Sequence, residues 1–387
     1  MRGPTRPMLG TPALTDPCGR FLPALIVHDL RDRLHGRSRR ANARWGRLQR
    51  PDAQRRLLWI VSGASRASVR LGVELTRALV ARRLDASALF TYEAEHPDLL
   101  ATLARAPRTG WGYGPSDYIG AVQAAGRRLV PFGIVVAGIA PRPNLAALCE
   151  ASRHALLVAP PLPVSGRFER IYPTHSAPCG GGPCAPQADF GVLLNTPAED
   201  ADSARALIGA AARRLWWWHG ADPAAAKRLF ALFRGHLPDD VLIVSGEAGA
   251  TLAIEAEALM RLSAWERVPA APGTLVLADQ PGWLEALAPH LSAIHLATDH
   301  ADSLWRALAG GSIVTAPATA RIASPGVASA VVRADDENDV IAAWMRLGAE
   351  ADLRERTARA ARLAYAAENR LAVANAAELI ERVCRWQ

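Results

Sequence analysis

The chain has 387 residues, of which 50% are hydrophobic and 21% charged; this excludes global disorder and asks for two or three domains rather than one small core. The net charge of +8 is unevenly placed: residues 1–56 hold 13 arginines against four aspartates, whereas the other 331 residues carry 32 basic and 33 acidic side chains. No apolar run reaches the ~20 residues of a membrane-spanning helix. The N-terminal run Phe21 to Val27 contains Pro23, stops at His28-Asp29 and is poor as a secretory signal core. Five cysteines, an odd and sparse count, argue against a disulfide framework and make a reducing compartment the expectation.

Residues 1–56 read as a basic arm, densest from Arg31 to Arg47, which attracts a polyanion such as an anionic membrane surface or, alternatively, is a solvated extension. Nucleic acid is not the expected partner, because the rest of the chain is neutral. From Leu57 onward the pattern alternates. Leu57 to Val61 is an apolar run ending at Ser62-Gly63 and predicts a buried strand; Ser68 to Arg82 has helical spacing. A strand over Ala86 to Thr91, a helix around His96 to Ala104, a strand over Phe132 to Ala137, a helix over Pro143 to Ser152 and a strand over His154 to Ala159 follow. Ser165 to Ala188 is rich in proline and glycine and reads as a loop.

The alternation then resumes. Expected strands are Phe190 to Leu194, Leu215 to Trp218, Val241 to Ser245, Thr274 to Ala278, Ala293 to Ala297 and Ile313 to Thr315. Helices are expected over Glu199 to Ala212, Pro223 to Phe233, Thr251 to Leu262, Gly282 to Leu287 and Ser303 to Leu308. Three more, Glu337 to Leu347, Asp352 to Ala367 and Ala372 to Arg385, close the chain. The fold class is α/β, with two Rossmann-type domains, 57–210 and 211–387, facing across a cleft. Ligands of such sheets bind beyond the carboxyl ends of the strands. The turns to watch are therefore Ser62 to Ser68, Gly138 to Arg142, His219 to Asp222, Ser245 to Gly249 and Asp299 to Ser303.

At these turns the sequence resembles the 3-deoxy-D-manno-octulosonic acid (Kdo) transferases, GT-B glycosyltransferases that use a CMP-activated sugar and a lipid A acceptor. Gly63-Ala64-Ser65-Arg66-Ala67-Ser68-Val69-Arg70 is similar to the family's Gly-Ala-Ser-x-Gly-Glu-Val-Arg turn. Pro115-Ser116-Asp117 looks like its Pro-x-Asp, and Gly138 to Leu145 like its Glu-Thr-Glu-Leu-Trp-Pro-Asn-Leu turn. Leu193 to Ala210 resembles the start of its second half. Trp217-Trp218-His219, Ser245-Gly246-Glu247, Asp279 to Leu284, and His300 followed by Ala301 or Asp302-Ser303 fall where the family has its remaining turns. The resemblance implies acceptor-side residues Ser65, Arg66 and Asn144, and donor-binding residues His219, Ser245, Gly246, Glu247, Asp302 and Ser303. It implies no cofactor or metal, and a peripheral place on the cytoplasmic face of an inner membrane.

The departures fall on chemistry. Ser68 stands at the family's general-base Glu, and an isolated hydroxyl does not accept a proton near neutral pH. Gly138 and Ala140 replace two acids, Gly246 replaces an Arg, and Trp283 and Trp305 replace two further Glu. Two readings stay open: a diverged glycosyltransferase with another base, such as Glu74 or Asp117, or a non-catalytic relative that binds a sugar nucleotide, a glycolipid or a partner. Simpler readings stand beside the sharp ones. His219 could meet a phosphate or cap a helix. Trp216 to Trp218 could stack a base, although alternation places two of them in the core. Cys179 and Cys184, with His175 nearby, do not have metal-site spacing. Asp302 or Ser303 could simply be a helix N-cap.

Overall fold

The computed structural model describes residues 21–52, 54–159, 167–174, 183–194, 214–220, 222–245, 259–261, 275–278, 287–297, 301–320, 322 and 324–387. It divides into two compact units, Met1–Ala188 with Ala374–Gln387, and Asp189–Val373. The division falls ahead of the boundary between 210 and 211 expected from the sequence, and the first unit takes back the end of the chain.

The first unit runs α1 (Leu22–Leu34), α2 (Ser38–Arg44), β1 (Arg56–Ser62), α3 (Arg66–Arg82), β2 (Ala86–Tyr92), α4 (Pro97–Leu100), β3 (Thr109–Tyr113), α5 (Ile119–Leu129), β4 (Gly133–Ala137), α6 (Pro143–Ala151), β5 (Ala155–Ala159) and β6 (Arg170–Pro173). Its six parallel strands lie in the order β3-β2-β1-β4-β5-β6. In this doubly wound order the winding reverses between β1 and β4. A parallel sheet covered on both faces requires unbroken apolar strands, which is why Leu57 to Val61 shows no alternation. Leu57, Trp59 and Val61 share one core with Leu129 of α5 and with Leu145 and Cys149 of α6. On α3, Gly72 is required because a Cβ there would overlap the Phe90 ring of β2.

From Phe21 on, the basic segment is folded rather than a solvated extension. Ala24 and Leu25 are fully buried, and the buried Asp32 pairs with Arg44 and, at 3.7 Å, with Arg40. Arg40 also lies over the Tyr113 ring at 5.1 Å, and the Ser116 N–H donates to the Arg44 carbonyl at 3.2 Å. Ala43 and Leu48 enter the core that contains Trp59.

The second unit runs β7 (Leu215–His219), α7 (Pro223–His236), β8 (Val241–Ser245), β9 (Leu259–Arg261), β10 (Leu275–Leu277), β11 (Leu291–Leu296), α8 (Ala301–Ala309), β12 (Val314–Ala316), α9 (Pro325–Ala330), β13 (Val332–Arg333), α10 (Glu337–Ala349) and α11 (Ala351–Arg385). Its parallel sheet has the order β13-β12-β11-β7-β8-β10-β9, with the reversal between β7 and β11. Trp216, Trp217 and Trp218 are all buried, so none of the three is offered to a nucleobase. Both faces of this sheet are covered, and alternation therefore exposes no tryptophan. Trp216 stacks on Trp344 of α10 at 5.2 Å and donates to Asp240 at 2.9 Å.

Helix α11 passes from the second unit into the first at Ala374. The buried Arg83 guanidinium donates to the carbonyls of Val383, Cys384 and Trp386 at 2.7–3.1 Å, satisfying its otherwise open C-terminal acceptors. The Trp386 ring stacks on His154 at 5.1 Å and donates to Glu169 at 2.8 Å.

Several expected elements differ. Phe190–Leu194 is a 3-10 turn, not a strand, because Asp189 Oδ1 captures the Gly191 N–H at 2.8 Å. The helix around His96 to Ala104 is only α4 plus a 3-10 turn at Leu103–Arg105. The expected loop Ser165 to Ala188 contains β6, and β3, α5 and both N-terminal helices went unread. The two last expected helices are one, since Glu368 to Leu371 holds no helix breaker. The helix expected to run to Leu262 meets β9 at Leu259–Arg261, and its earlier part lies outside the described residues, as do the helices over Glu199 to Ala212 and Gly282 to Leu287. Cys184 is disulfide-bonded, whereas Cys149 and Cys384 are free.

Candidate functional site

In the first unit the carboxyl ends of β1 to β4 gather the turns read from the sequence. Ser65 is the N-cap of α3: its Oγ accepts from the Ser68 N–H at 3.2 Å and donates to Ser68 Oγ at 3.0 Å. Ser68 donates back to the Ser65 carbonyl at 2.8 Å and is 2% exposed. Gly138, at φ +74°, sits directly above it; a Cβ on Gly138 would lie 2.8 Å from Ser68 Cα and Cβ. Two of the departures from the Kdo transferase pattern, Ser68 and Gly138, are therefore spatial neighbours, a serine packed beneath a glycine. Ser68 belongs to the cap of α3 and has no open face for an acceptor.

The other acceptor-side residues have similar structural partners. Arg66 pairs with Asp98, whose carboxyl is held below its usual range by that hydrogen bond. Asn144 meets Asp117, one of the two substitute bases considered: Asp117 Oδ1 accepts from the N–H groups of Asn144 and Leu145 at 3.1 and 3.2 Å, capping α6. Glu74, the other, lies two turns into α3 and pairs with Arg77 at 3.1 Å.

Sequence reasoning missed Glu93. It follows β2 directly, its N–H donates to the Gly63 carbonyl at 3.1 Å, and its half-buried carboxylate pairs with Arg142 at 2.6 Å. The signal was present, an acid immediately after a strand at the ligand-binding edge. Glu93 and Arg142 line a small cavity with Trp59, Ser62, Pro115 and Asp117. Its volume of about 30 Å³ holds one or two waters and no sugar. Among the described residues the Ser62 hydroxyl there has no hydrogen-bond partner.

In the second unit His219 and Ser245 end the neighbouring strands β7 and β8, in register with each other. Trp217 Nε1–H donates to Ser245 Oγ at 2.7 Å, and that oxygen lies 2.6 Å from His219 Nδ1. The buried indole thus fixes the serine, and the serine fixes the imidazole. His219 is also at the winding reversal, where its carbonyl accepts from the Ala297 N–H at 2.9 Å. Past that point α8 begins; Ser303 is buried in its first turn and Asp302 belongs to the same turn. Gly246 and Glu247 lie outside the described residues, as do His175, Cys179, Asp279 to Leu284 and His300. Among the described residues no group of three His, Cys, Asp or Glu side chains is placed to hold a metal.

Solved structures with this arrangement are known. A glycosyltransferase from Rickettsia africae ESF-5 aligns with 86% of this chain and 100% of its own, at a TM-score of 0.57 and 8% identity. Anabaena HepE, solved with UDP-glucose, aligns with 85% of this chain and 99% of its own, at 0.53 and 12% identity. The fold is that of the GT-B glycosyltransferases. A GT-B-like frame does not by itself choose a reaction. A putative UDP-N-acetylglucosamine 2-epimerase from Listeria monocytogenes also aligns, over 79% of this chain and 90% of its own, with a TM-score of 0.53 and 10% identity. No protein-family model matches the sequence, and a search of curated proteins finds no relative.

Proposed function

We propose that this chain is a glycosyltransferase that draws on a nucleotide-activated sugar. The observation that carries the reading is the coincidence of fold and site: the GT-B-like frame places His219, Ser245 and the start of α8 at the winding reversal of the second sheet, where such sheets take phosphate groups. In this scheme the second unit takes the nucleotide and the first unit takes the acceptor. Glu93, not Ser68, accepts the proton of the attacking hydroxyl as the new C–O bond forms and the nucleotide leaves with the electron pair of the old one. Arg142 holds the Glu93 carboxylate in place. The ordered turn resemblances support a CMP-activated sugar as donor and a glycolipid of the lipid A class as acceptor, at the cytoplasmic face of an inner membrane.

A second reading, a non-catalytic relative that binds a sugar nucleotide, has one observation in its favour: the family's general-base position is a packed serine. Calorimetry with CMP and UDP, followed by transfer assays with CMP-Kdo and lipid A precursors, separates the two. On the enzymatic reading Glu93→Gln lowers turnover by about 10²–10⁴-fold while nucleotide affinity is kept. Binding without turnover supports the non-catalytic reading. Failure of every nucleotide to bind removes both, and turnover of the donor without an acceptor points to epimerase-type chemistry.

A further inference from the structure

Helix α1 has two dissimilar faces. Ala24, Leu25 and Asp32 point into the first unit and are buried. On the opposite side Leu22, Ile26, Leu30 and Leu34 recur every four residues, with Val27 beside them; they are 42% to 84% exposed. At 3.6 residues per turn these five side chains and the exposed Pro23 share one continuous stripe, and Phe21 extends its N-terminal end. Single exposed apolar side chains need no explanation, but a run of this length on one helix face marks an interaction surface.

The charge of the segment that carries the stripe selects its occupant. Residues 21–50 contain eight arginines and two aspartates. Asp29 and Asp32 are already committed to Arg33, Arg40 and Arg44. Arg31, Arg37, Arg39 and Arg47 are exposed and form no salt bridge among the described residues. A second copy of the chain would bring a like-charged rim against this one. A nucleic acid would use the arginines and leave the apolar stripe in water. An anionic bilayer satisfies both at once, because lipid phosphates meet the arginines while the acyl region takes the leucines. The 13-residue helix is about 20 Å long and lies in the interface rather than across it.

We infer that α1 is an interfacial helix that docks the first unit on an anionic lipid surface, with Ile26, Leu30 and Leu34 inserted. This inference does not depend on the glycosyltransferase reading, and its test contains no sugar, so either can fail alone. The full chain is sedimented with phosphatidylcholine vesicles and with mixed phosphatidylcholine–phosphatidylglycerol vesicles. Expected are binding to the mixed vesicles, at least about tenfold weaker binding to the neutral ones, and a loss of at least about tenfold in the Ile26→Asp/Leu30→Asp variant. Leu34→Asp, at the most exposed of these positions, repeats the test without touching packed side chains, and circular dichroism confirms that both variants are folded. The inference is overturned by no binding to the mixed vesicles, by undiminished binding of the variants, or by a concentration-dependent dimer that the same variants abolish.

Discussion

Replacing Ser68 by Glu restores the residue expected of a Kdo transferase, and the structure says that it will not fit. The serine is held between the Ser65 cap and the backbones of Gly63 and Gly138; a Cβ on Gly63 would already stand 3.2 Å from Ser68 Oγ. Overpacking by the longer side chain costs about 1–3 kcal/mol, and losing the two hydroxyl hydrogen bonds costs roughly 1 kcal/mol each. A carboxylate in the first turn of α3 recovers only about 0.5 kcal/mol from the helix dipole. The net loss of about 2.5–4.5 kcal/mol lowers the melting temperature of a unit of this size by roughly 5–18 °C. Ser68→Ala, which keeps the Ser65 cap but loses the same two hydroxyl hydrogen bonds, costs about 2 kcal/mol. Calorimetric melting measured beside CMP-sugar transfer tests the argument. If the Glu variant melts within about 2 °C of wild type, or gains transfer activity, Ser68 occupies an open catalytic position and the packing argument is wrong.

Burial lowers the pKa of His295 from 6.5 to about 4; it lies on β11 with Nδ1 3.1 Å from Thr315 Oγ1. The unfolded chain therefore takes up the proton first, so this contribution is complete above pH 6.5 and declines as pH falls toward 4. Chemical denaturation should show about 2 kcal/mol of stability lost from this group between pH 7 and 5, a slope that His295→Gln removes. Arg83→Ala removes the donors to the last carbonyls of α11 and costs about 3 kcal/mol. Hydrogen exchange should quicken at residues 379–387 before the rest of the first unit; uniform acceleration would contradict the local role. Loss of turnover in Glu93→Gln and loss of vesicle binding on acidifying α1 complete the set.

The candidate site was legible where polar residues follow strand ends and illegible where partners are distant in sequence. Strands such as Val241–Ser245 were read to the residue because a covered parallel sheet leaves an unbroken apolar run. His219 and Ser245 stand out in the sequence for the same reason, as the first polar residues after such runs. Their relay to Trp217 was not, because it joins two strands. Glu93 was passed over because its partner, Arg142, is 49 positions away and approaches only across the first sheet's edge. The N-terminal helices were missed because a net charge of one sign reads as solvated chain, whereas Asp32 gathers Arg40 and Arg44 only once the segment is folded.

The sequence alone determined that this protein has two α/β halves and where many of their strands end, since apolar runs and turn residues are local signals. Only the tertiary structure decided that Ser68 is packing, that Glu93 stands at the rim and that α1 carries an uncovered apolar face. Burial and pairing depend on what the rest of the chain brings alongside, and no local pattern records that.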